Sequence, residues 1–403
     1  MSYDEYRALR RFPALDGLRA VAAVIVFAFH FGGPHWRWVT GWIGVHLFFV
    51  LSGFLITTLL LREEERYRRI SLRAFYLRRS FRIMPVYFVV LAGTWALAHL
   101  RGGGEAVERA LPYYLLFLNE MGATGPFIHS WTIGIEQKFY LVWPALAFVL
   151  VVGAFRRRLG VTLGLIALLV VAIPPDIAWL SWPIHYVAIL LGCLVAIVLH
   201  NPRGFALARP LTHPVTATAV VLAFTAFHLA MAYWPAALGQ EAQIGVYAAG
   251  AALLLPALLA RHPVSWLLGS RPMVFVGERS YSLYLVQIMA ATTVSALVPA
   301  IAQHGTRYLV VVVFVGLLAA DLLYRWVELP MIEVGRRLAA RQRRVDPGDV
   351  TPPRTVPAAP AEEARPAIPR PTGPSSAEPD RPSIPPSAGD TTVREERVTP
   401  ASR

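Results

Sequence analysis

Residues 42–61, WIGVHLFFVLSGFLITTLLL, decide the fold class because they contain no Asp, Glu, Lys or Arg. A helix needs roughly 20 mostly apolar residues to cross the hydrocarbon core of a bilayer. The whole chain agrees, since hydrophobic residues make up 56% of its 403 residues, charged residues 16%, and the mean hydropathy is +0.49. Too little polar surface remains to cover a water-soluble globule of this size.

The charge and cysteine content narrow the class of protein further. The single cysteine, Cys193, excludes a disulfide-stapled fold, and we expect it to be a small apolar packing residue. A net charge of +13 can indicate nucleic-acid binding. Here, however, the basic residues alternate with long apolar runs, as in integral membrane proteins. We therefore expect a lipid bilayer, and no nucleic acid, as a partner.

The apolar segments predict an all-α, polytopic membrane bundle of about ten transmembrane helices. Their ends are predicted to about ±4 residues. The ten predicted spans are 13–31, 42–61, 83–100, 131–153, 159–174, 183–199, 214–233, 243–260, 281–301 and 308–329.

The distribution of arginine predicts the orientation of these spans. With an inside N-terminus, the inside connections carry 24 arginines and the opposite connections only four: Arg37, Arg101, Arg109 and Arg307. The positive-inside rule then predicts that both termini are cytoplasmic. Residues 346–403 contain fourteen prolines and no aromatic residue. We expect them to form a Pro-rich disordered cytoplasmic tail after a membrane domain at 1–345.

Two ionisable residues of the first span, Arg19 and His30, are eleven positions apart. Eleven steps of 100° return to within about 20° of the same face, with a rise of roughly 16 Å. Intramembrane charges usually face a cavity or a partner, which favours a shared polar stripe. The alternative is that Arg19 extends to the inner headgroups and His30 is an interfacial polar tip.

The fourth span begins with a second polar group. His129 and Glu136 are seven residues apart, two helical turns, so we expect them on one face. Lys138 is too close in sequence to face Glu136 on a helix. Glu136 therefore needs another partner, and an intramembrane carboxylate of this kind is a candidate functional group.

Arg78, Arg79 and Arg82 cluster where the third span begins. Three explanations are open: a topology signal, an anchor for anionic lipid, or a site for a phosphorylated cofactor. The residues alone favour the lipid anchor. No metal-ligand cluster is recognisable, and Ser52 and Gly53 are typical of close helix packing rather than of a nucleophile.

Six motifs in chain order resemble the acyltransferase-3 family of bacterial membrane O-acyltransferases. The first also includes His30, eleven residues after Arg19. The matching strings are FPALDGLRAVA (12–22), GWIGVHLFFVLSGFLI (41–56), RRSFRIMP (78–85), SWTIGIE (130–136) with FYLVWP (139–144), SYSLYL (280–285) and YRWVELP (324–330).

The resemblance implies a multi-pass protein of the bacterial cell membrane with no permanently bound cofactor and no metal. Members transfer an acyl group, commonly acetyl, from cytoplasmic acyl-CoA to a hydroxyl of a carbohydrate-containing or glycosylated acceptor. It implies catalytic roles for His30, Arg19 and Glu136, and a donor-binding role for the arginine cluster of residues 78, 79 and 82. Glu328 falls on the acidic residue of the last motif.

The chemistry also suits an imidazole. Its reference pKa near 6.5 allows His30 to act as a general base on the acceptor hydroxyl, with Glu136 orienting it or balancing its charge. Direct transfer and a covalent acyl-histidine relay both remain open. The alternative function is a non-catalytic scaffold or sensor that binds glycan, lipid or acyl-CoA. A transporter is disfavoured because no internal repeat is recognisable.

The sequence also departs from the family pattern. His46 stands where Asp is frequent, Gln137 and Lys138 replace a usual Glu-Gln pair, and Gln287 stands where His is common. These departures either tune the choice of acceptor or mark a loss of activity. The intact pair of Arg19 and His30 favours tuning.

Overall fold

The computed structural model describes residues 1–121, 125–151, 155–172, 182–301 and 303–345. Within these ranges it contains sixteen α-helices and no β-strand. The helices are α1 Tyr3–Ala8, α2 Pro13–Phe31, α3 Val45–Tyr67, α4 Leu72–Leu100, α5 Gly104–Leu115, α6 Trp131–Ala145, α7 Phe155–Val171, α8 Trp182–His200, α9 Pro202–Ala208, α10 Pro214–Ala230, α11 Gly239–Leu259, α12 Pro263–Leu268, α13 Arg271–Glu278, α14 Ser280–Leu297, α15 Thr306–Leu323 and α16 Leu329–Val345.

The predicted membrane bundle is confirmed. In the described part of the chain, nine helical segments are long and apolar enough to cross a bilayer, and each overlaps one of the ten predicted spans. The remaining predicted span, 159–174, corresponds to α7, which has 17 residues. The orientation of the termini stays a prediction, and residues 346–403 lie outside the described residues.

Two helices are extended by a wide π turn. Residues Leu146–Leu150 continue α6, and Tyr324–Glu328 join α15 to α16. A π turn adds one residue to the helical repeat and changes the face on which the following side chains lie. The second π turn places Glu328 in the protein interior, where it is 1% exposed.

Glycines allow the close helix contacts that build the bundle. A Cβ on Gly53 of α3 would lie 1.9 Å from the carbonyl oxygen of Ile189, and one on Gly192 of α8 would lie 2.0 Å from that of Val50. No larger residue fits at either position, so α3 and α8 pack backbone against backbone. The small-residue contacts of membrane helices have the same cause.

The start of α2 is packed in the same way. A Cβ on Gly17 would lie 2.0 Å from the carbonyl oxygen of Leu268 in α12, and one on Gly277 in α13 would lie 1.9 Å from that of Asp16. These contacts hold the first turns of α2 against two short helices. They thereby place Arg19, one turn further on, at the wall of an internal cavity.

Candidate functional site

A cavity of about 380 Å³ lies between α2, α3, α4, α6, α14 and the second π turn. It begins at Arg62 near the arginine-rich end of the bundle and follows α3 to Val45 at the other end of that helix. Its ionisable lining residues are Arg10, Arg11, Asp16, Arg19, Arg62, Arg79, Arg82, Glu136, Tyr140, Glu278, Tyr281, Tyr284, Tyr324 and Glu328.

Six arginines line the cavity: Arg10, Arg11, Arg19, Arg62, Arg79 and Arg82. Within the described residues, none of the six forms an ion pair within 4 Å. In contrast, four arginines at the same end of the bundle but outside the cavity do form such pairs. These pairs are Arg7 with Glu65, Arg78 with Glu63, Arg158 with Glu64, and Arg279 with Asp321. With six arginines against the four carboxylates Asp16, Glu136, Glu278 and Glu328, the cavity lining carries an excess of positive charge, which favours an anionic ligand.

Glu136 lies on the cavity wall and is held by two hydroxyl groups. Ser52 of α3 donates a hydrogen bond of 2.6 Å to its Oε1 atom, and Tyr140 donates one of 3.1 Å to Oε2. The two hydroxyls are 3.1 Å apart. The prediction that Glu136 has a partner other than Lys138 is confirmed. Arg19 and Arg79 interact with Glu136 electrostatically.

Arg19 faces the cavity as well. Its charged neighbours are Arg82, Asp16, Glu328 and Glu136, which come from four different elements. A guanidinium in this position can donate several hydrogen bonds to a ligand while the surrounding carboxylates limit the net charge.

His30 lies on α2 beyond the Val45 end of the cavity and is not one of its lining residues. Gly44, which precedes Val45, packs against Ala22 and Ile25 of α2. From Ile25 to His30 the helix rises roughly 8 Å. Partly buried, His30 packs its ring against Phe29 and Phe31. Glu136 thus has the hydroxyl partners Ser52 and Tyr140. Among the described residues, it forms no hydrogen bond with His30.

His129 is close to the same region. It precedes α6 in a 3₁₀ turn, so the two-turn spacing from Glu136 along one helix does not apply. Its Nε2 atom hydrogen bonds with the carbonyl oxygen of Leu285 at 3.0 Å. The Tyr284 hydroxyl donates a hydrogen bond to the backbone carbonyl oxygen of His129. Its Nδ1 atom has no partner among the described residues. His129 therefore links the segment before α6 to α14.

The predicted arginine cluster separates into two roles. Arg78 donates to Glu63 at 2.7 Å and does not line the cavity, whereas Arg79 and Arg82 do. The guanidinium of Arg79 lies 5.5 Å from the centre of the Tyr140 ring. The sequence spacing alone could not make this distinction, because all three residues are within four positions.

Two of the three departures from the family pattern have partners of their own. Lys138 forms an ion pair of 2.6 Å with Glu120 and donates to the carbonyl oxygen of Phe117 at 2.6 Å. The Nε2 atom of His46 lies 3.1 Å from Nδ1 of His185. His46 and Lys138 are therefore accommodated structurally, whereas the buried Nε2 atom of Gln137 has no hydrogen-bond partner among the described residues.

The third departure has no such compensation. Gln287 is completely buried, and both its amide nitrogen and its amide oxygen have no hydrogen-bond partner within the described residues. A buried amide in this state is costly.

Sequence reasoning missed several lining residues. Ser52 was assigned to helix packing, which holds for the neighbouring Gly53, but its hydroxyl binds Glu136. Glu328 was indicated by resemblance alone, and Arg62 by nothing beyond its place in a basic segment. The described residues include no group of three or more His, Cys, Asp or Glu side chains that could hold a metal ion.

The fold and this site define a polytopic membrane helix bundle with a cavity that carries an excess of positive charge. The family model described as the acyltransferase domain matches residues 12–325, and the chain belongs to that family. This confirms the resemblance found in the sequence motifs, and with it a multi-pass protein of the bacterial membrane.

Several curated proteins are similar over most of the chain. The protein YrhL of Bacillus subtilis is 28% identical over 381 residues, which cover 84% of this chain and 58% of YrhL. The peptidoglycan O-acetyltransferase OatA of Listeria monocytogenes is 28% identical, over 80% of this chain and 56% of OatA. The O-acetyltransferase OatA of Staphylococcus aureus is 26% identical, over 81% and 58%. The chain thus spans less than three fifths of these relatives. No solved structure matches it significantly.

Proposed function

We propose that the protein transfers an acetyl group from acyl-CoA to a hydroxyl of a carbohydrate-containing acceptor of the cell envelope. Membership of the acyltransferase family supports the reaction class. The names of two relatives, an O-acetyltransferase and a peptidoglycan O-acetyltransferase, support a cell-wall glycan as the acceptor.

The single observation that carries the choice of donor is the set of unpaired arginines in the cavity. CoA bears several phosphate charges, and guanidinium groups bind phosphate with paired, charge-assisted hydrogen bonds. Arg79 and Arg82 line the cavity on α4, and Arg19 faces them from α2. In our proposal these arginines hold the donor, and its thioester extends along the cavity towards the end at Val45.

The chemical step requires a proton acceptor near the sugar hydroxyl. In our proposal His30 takes the hydroxyl proton, the oxygen attacks the thioester carbonyl, and the carbon–sulfur bond breaks to release the CoA thiolate. The thiolate then receives the proton from His30. A relay through an acetyl-histidine has the same overall balance.

The Glu136 carboxylate has a different role in this scheme from the one suggested by the sequence. Because its charged neighbours are Arg19 and Arg79, it limits their mutual repulsion and fixes them for the donor. Ser52 and Tyr140 keep the carboxylate in place. Glu136 is thus assigned to the donor side of the reaction.

One observation favours the alternative of a non-catalytic binder of acyl-CoA, glycan or lipid. His30 does not line the cavity, so a donor could bind without reaching the imidazole. The enzyme would turn over acetyl-CoA, whereas the binder would not.

The deciding experiment uses the full chain in liposomes with radiolabelled acetyl-CoA and a soluble glycan acceptor, followed by mass spectrometry of the acceptor. Addition of one acetyl group per acceptor supports the enzyme. Saturable CoA binding without acetyl transfer would instead establish the binder.

A further inference from the structure

Arg62, in the last turns of α3, is a cavity residue without an assigned role. It lines the cavity at the arginine-rich end, and its guanidinium carbon lies 5.2 Å from the centre of the Phe12 ring. Its Nη2 atom is buried and has no hydrogen-bond partner in the described part of the chain. A buried cationic donor without an acceptor is unfavourable, so the site suits a ligand that supplies one.

Arg62 belongs to a different group of cations from Arg79. The charged and titratable neighbours of Arg62 are Tyr6, Arg7 and Glu65. Those of Arg79 are residues of α4 and α6, with the Tyr140 ring 5.5 Å away. The cavity therefore has two cationic groups. One lies at the arginine-rich end, which is the mouth of the cavity, and the other lies deeper, on α4.

The group at the mouth also includes Arg10 and Arg11. Both are exposed, both line the cavity, and both precede Phe12 in the segment before α2. Neither forms an ion pair among the described residues. Arg62 supplies the buried donor of this group, and the two exposed arginines add positive charge where a ligand would enter.

The donor of the proposed function has two separate anionic centres. CoA carries a pyrophosphate between its pantetheine arm and the ribose, and a phosphomonoester on the ribose 3′-oxygen. The nucleotide is the end farthest from the thioester, so it lies at the mouth when the thioester points inwards. We infer that Arg62, with Arg10 and Arg11, binds the ribose 3′-phosphate of the donor. This inference rests on the proposed donor but does not require acetyl transfer.

Equilibrium binding of two ligands tests the inference. Radiolabelled CoA and 3′-dephospho-CoA are titrated against the full chain in nanodiscs of zwitterionic lipid. A charge-assisted hydrogen bond has a net effect of about tenfold on binding. Wild type should bind CoA about tenfold more tightly than 3′-dephospho-CoA, and Arg62→Gln should clearly reduce this ratio. The affinity of Arg62→Gln for 3′-dephospho-CoA should match that of wild type.

Matched variants separate this role from general effects. Arg66→Gln, on an exposed arginine of the same helix outside the cavity, should retain the full discrimination. Arg79→Gln should weaken both ligands by the same factor and keep their ratio. The double variant Arg10→Gln/Arg11→Gln changes only exposed residues, so it should fold normally and reduce the ratio even if Arg62→Gln does not fold.

Several results would overturn the inference. One is equal binding of the two ligands by wild type, and another is an equal loss of both ligands in Arg62→Gln. A third is an unchanged ratio in the double variant Arg10→Gln/Arg11→Gln. If the effect of Arg62→Gln appears only in nanodiscs that contain anionic lipid, the arginine binds lipid phosphate and not the donor. CoA binding with the expected ratio but no acetyl transfer would contradict the proposed function alone.

Discussion

Ser52 on α3 donates a hydrogen bond of 2.6 Å to Glu136 on α6, although the two residues are 84 positions apart in the chain. The contact joins the two helices at the cavity wall and keeps the carboxylate beside Arg19 and Arg79. A hydroxyl that looks like a packing residue in the sequence therefore holds a carboxylate of the cavity wall in place.

Removal of this hydroxyl should reduce activity without abolishing it. Ser52→Ala leaves Glu136 with the hydrogen bond from Tyr140. Because a hydrogen bond to a charged group contributes about 1.5–3 kcal/mol, we expect a fall of about tenfold or more in kcat/KM for acetyl-CoA. Glu136→Gln should be more severe. Thr218→Val on α10, outside the cavity, is the control, and a Ser52→Ala enzyme with wild-type kcat/KM would disprove the role.

His30 should matter for chemistry but not for donor binding. Loss of a general base typically costs about 10²–10⁴-fold in rate, so His30→Ala should lose acetyl transfer by that amount. The Kd for CoA should stay unchanged because His30 does not line the cavity. Transfer is measured in liposomes with radiolabelled acetyl-CoA. The exposed His35 provides a matched control, His35→Ala. Undiminished transfer by His30→Ala would reject the general-base role.

Neighbouring arginines on α4 should behave differently. Arg79→Gln removes a cation of the cavity, and we expect the KM for acetyl-CoA to rise about tenfold to a hundredfold. Arg78→Gln breaks a partly exposed ion pair with Glu63, which contributes about 0–1 kcal/mol to stability, and should leave the KM unchanged. Steady-state kinetics of both variants give the two KM values for acetyl-CoA. Equal effects of the two substitutions would argue for a general lipid or topology role of the cluster.

The ion pair of Lys138 and Glu120 should stabilise the fold rather than serve catalysis. The Glu120 side chain is only 5% exposed, so Lys138→Met would leave a buried carboxylate unpaired. We expect a loss of about 3 kcal/mol in the free energy of unfolding, measured by thermal unfolding in detergent. The double variant Lys138→Met/Glu120→Leu should recover most of it. If Lys138→Met is as stable as wild type but inactive, Lys138 belongs to the reaction.

Close packing of α3 on α8 should not tolerate a methyl group. Gly53→Ala would place a carbon 1.9 Å from a backbone oxygen, and the helices would have to move apart. We expect a lower unfolding temperature and a lower yield of monodisperse protein. Gly164→Ala in α7 is the matched control, because a Cβ there meets no atom within 4 Å. A Gly53→Ala protein as stable as this control would show that the helix pair can separate.

The departures from the family pattern show where reasoning from sequence motifs stops. Lys138 and His46 look like losses of function when each is compared with the family string. In the structure, each has a partner from a distant segment, Glu120 for one and His185 for the other. No spacing rule along one helix could have identified those partners.

The amino-acid sequence by itself determined the membrane bundle and nine of its ten predicted spans. These features depend on local rules, since a helix in hydrocarbon must be long and apolar and must satisfy its own backbone hydrogen bonds. Only the tertiary structure decided that Arg79 faces the cavity while Arg78 pairs with Glu63, and that Ser52 holds Glu136. Such choices depend on how each helix is rotated against its neighbours, which close contacts between distant segments set and which no single segment encodes.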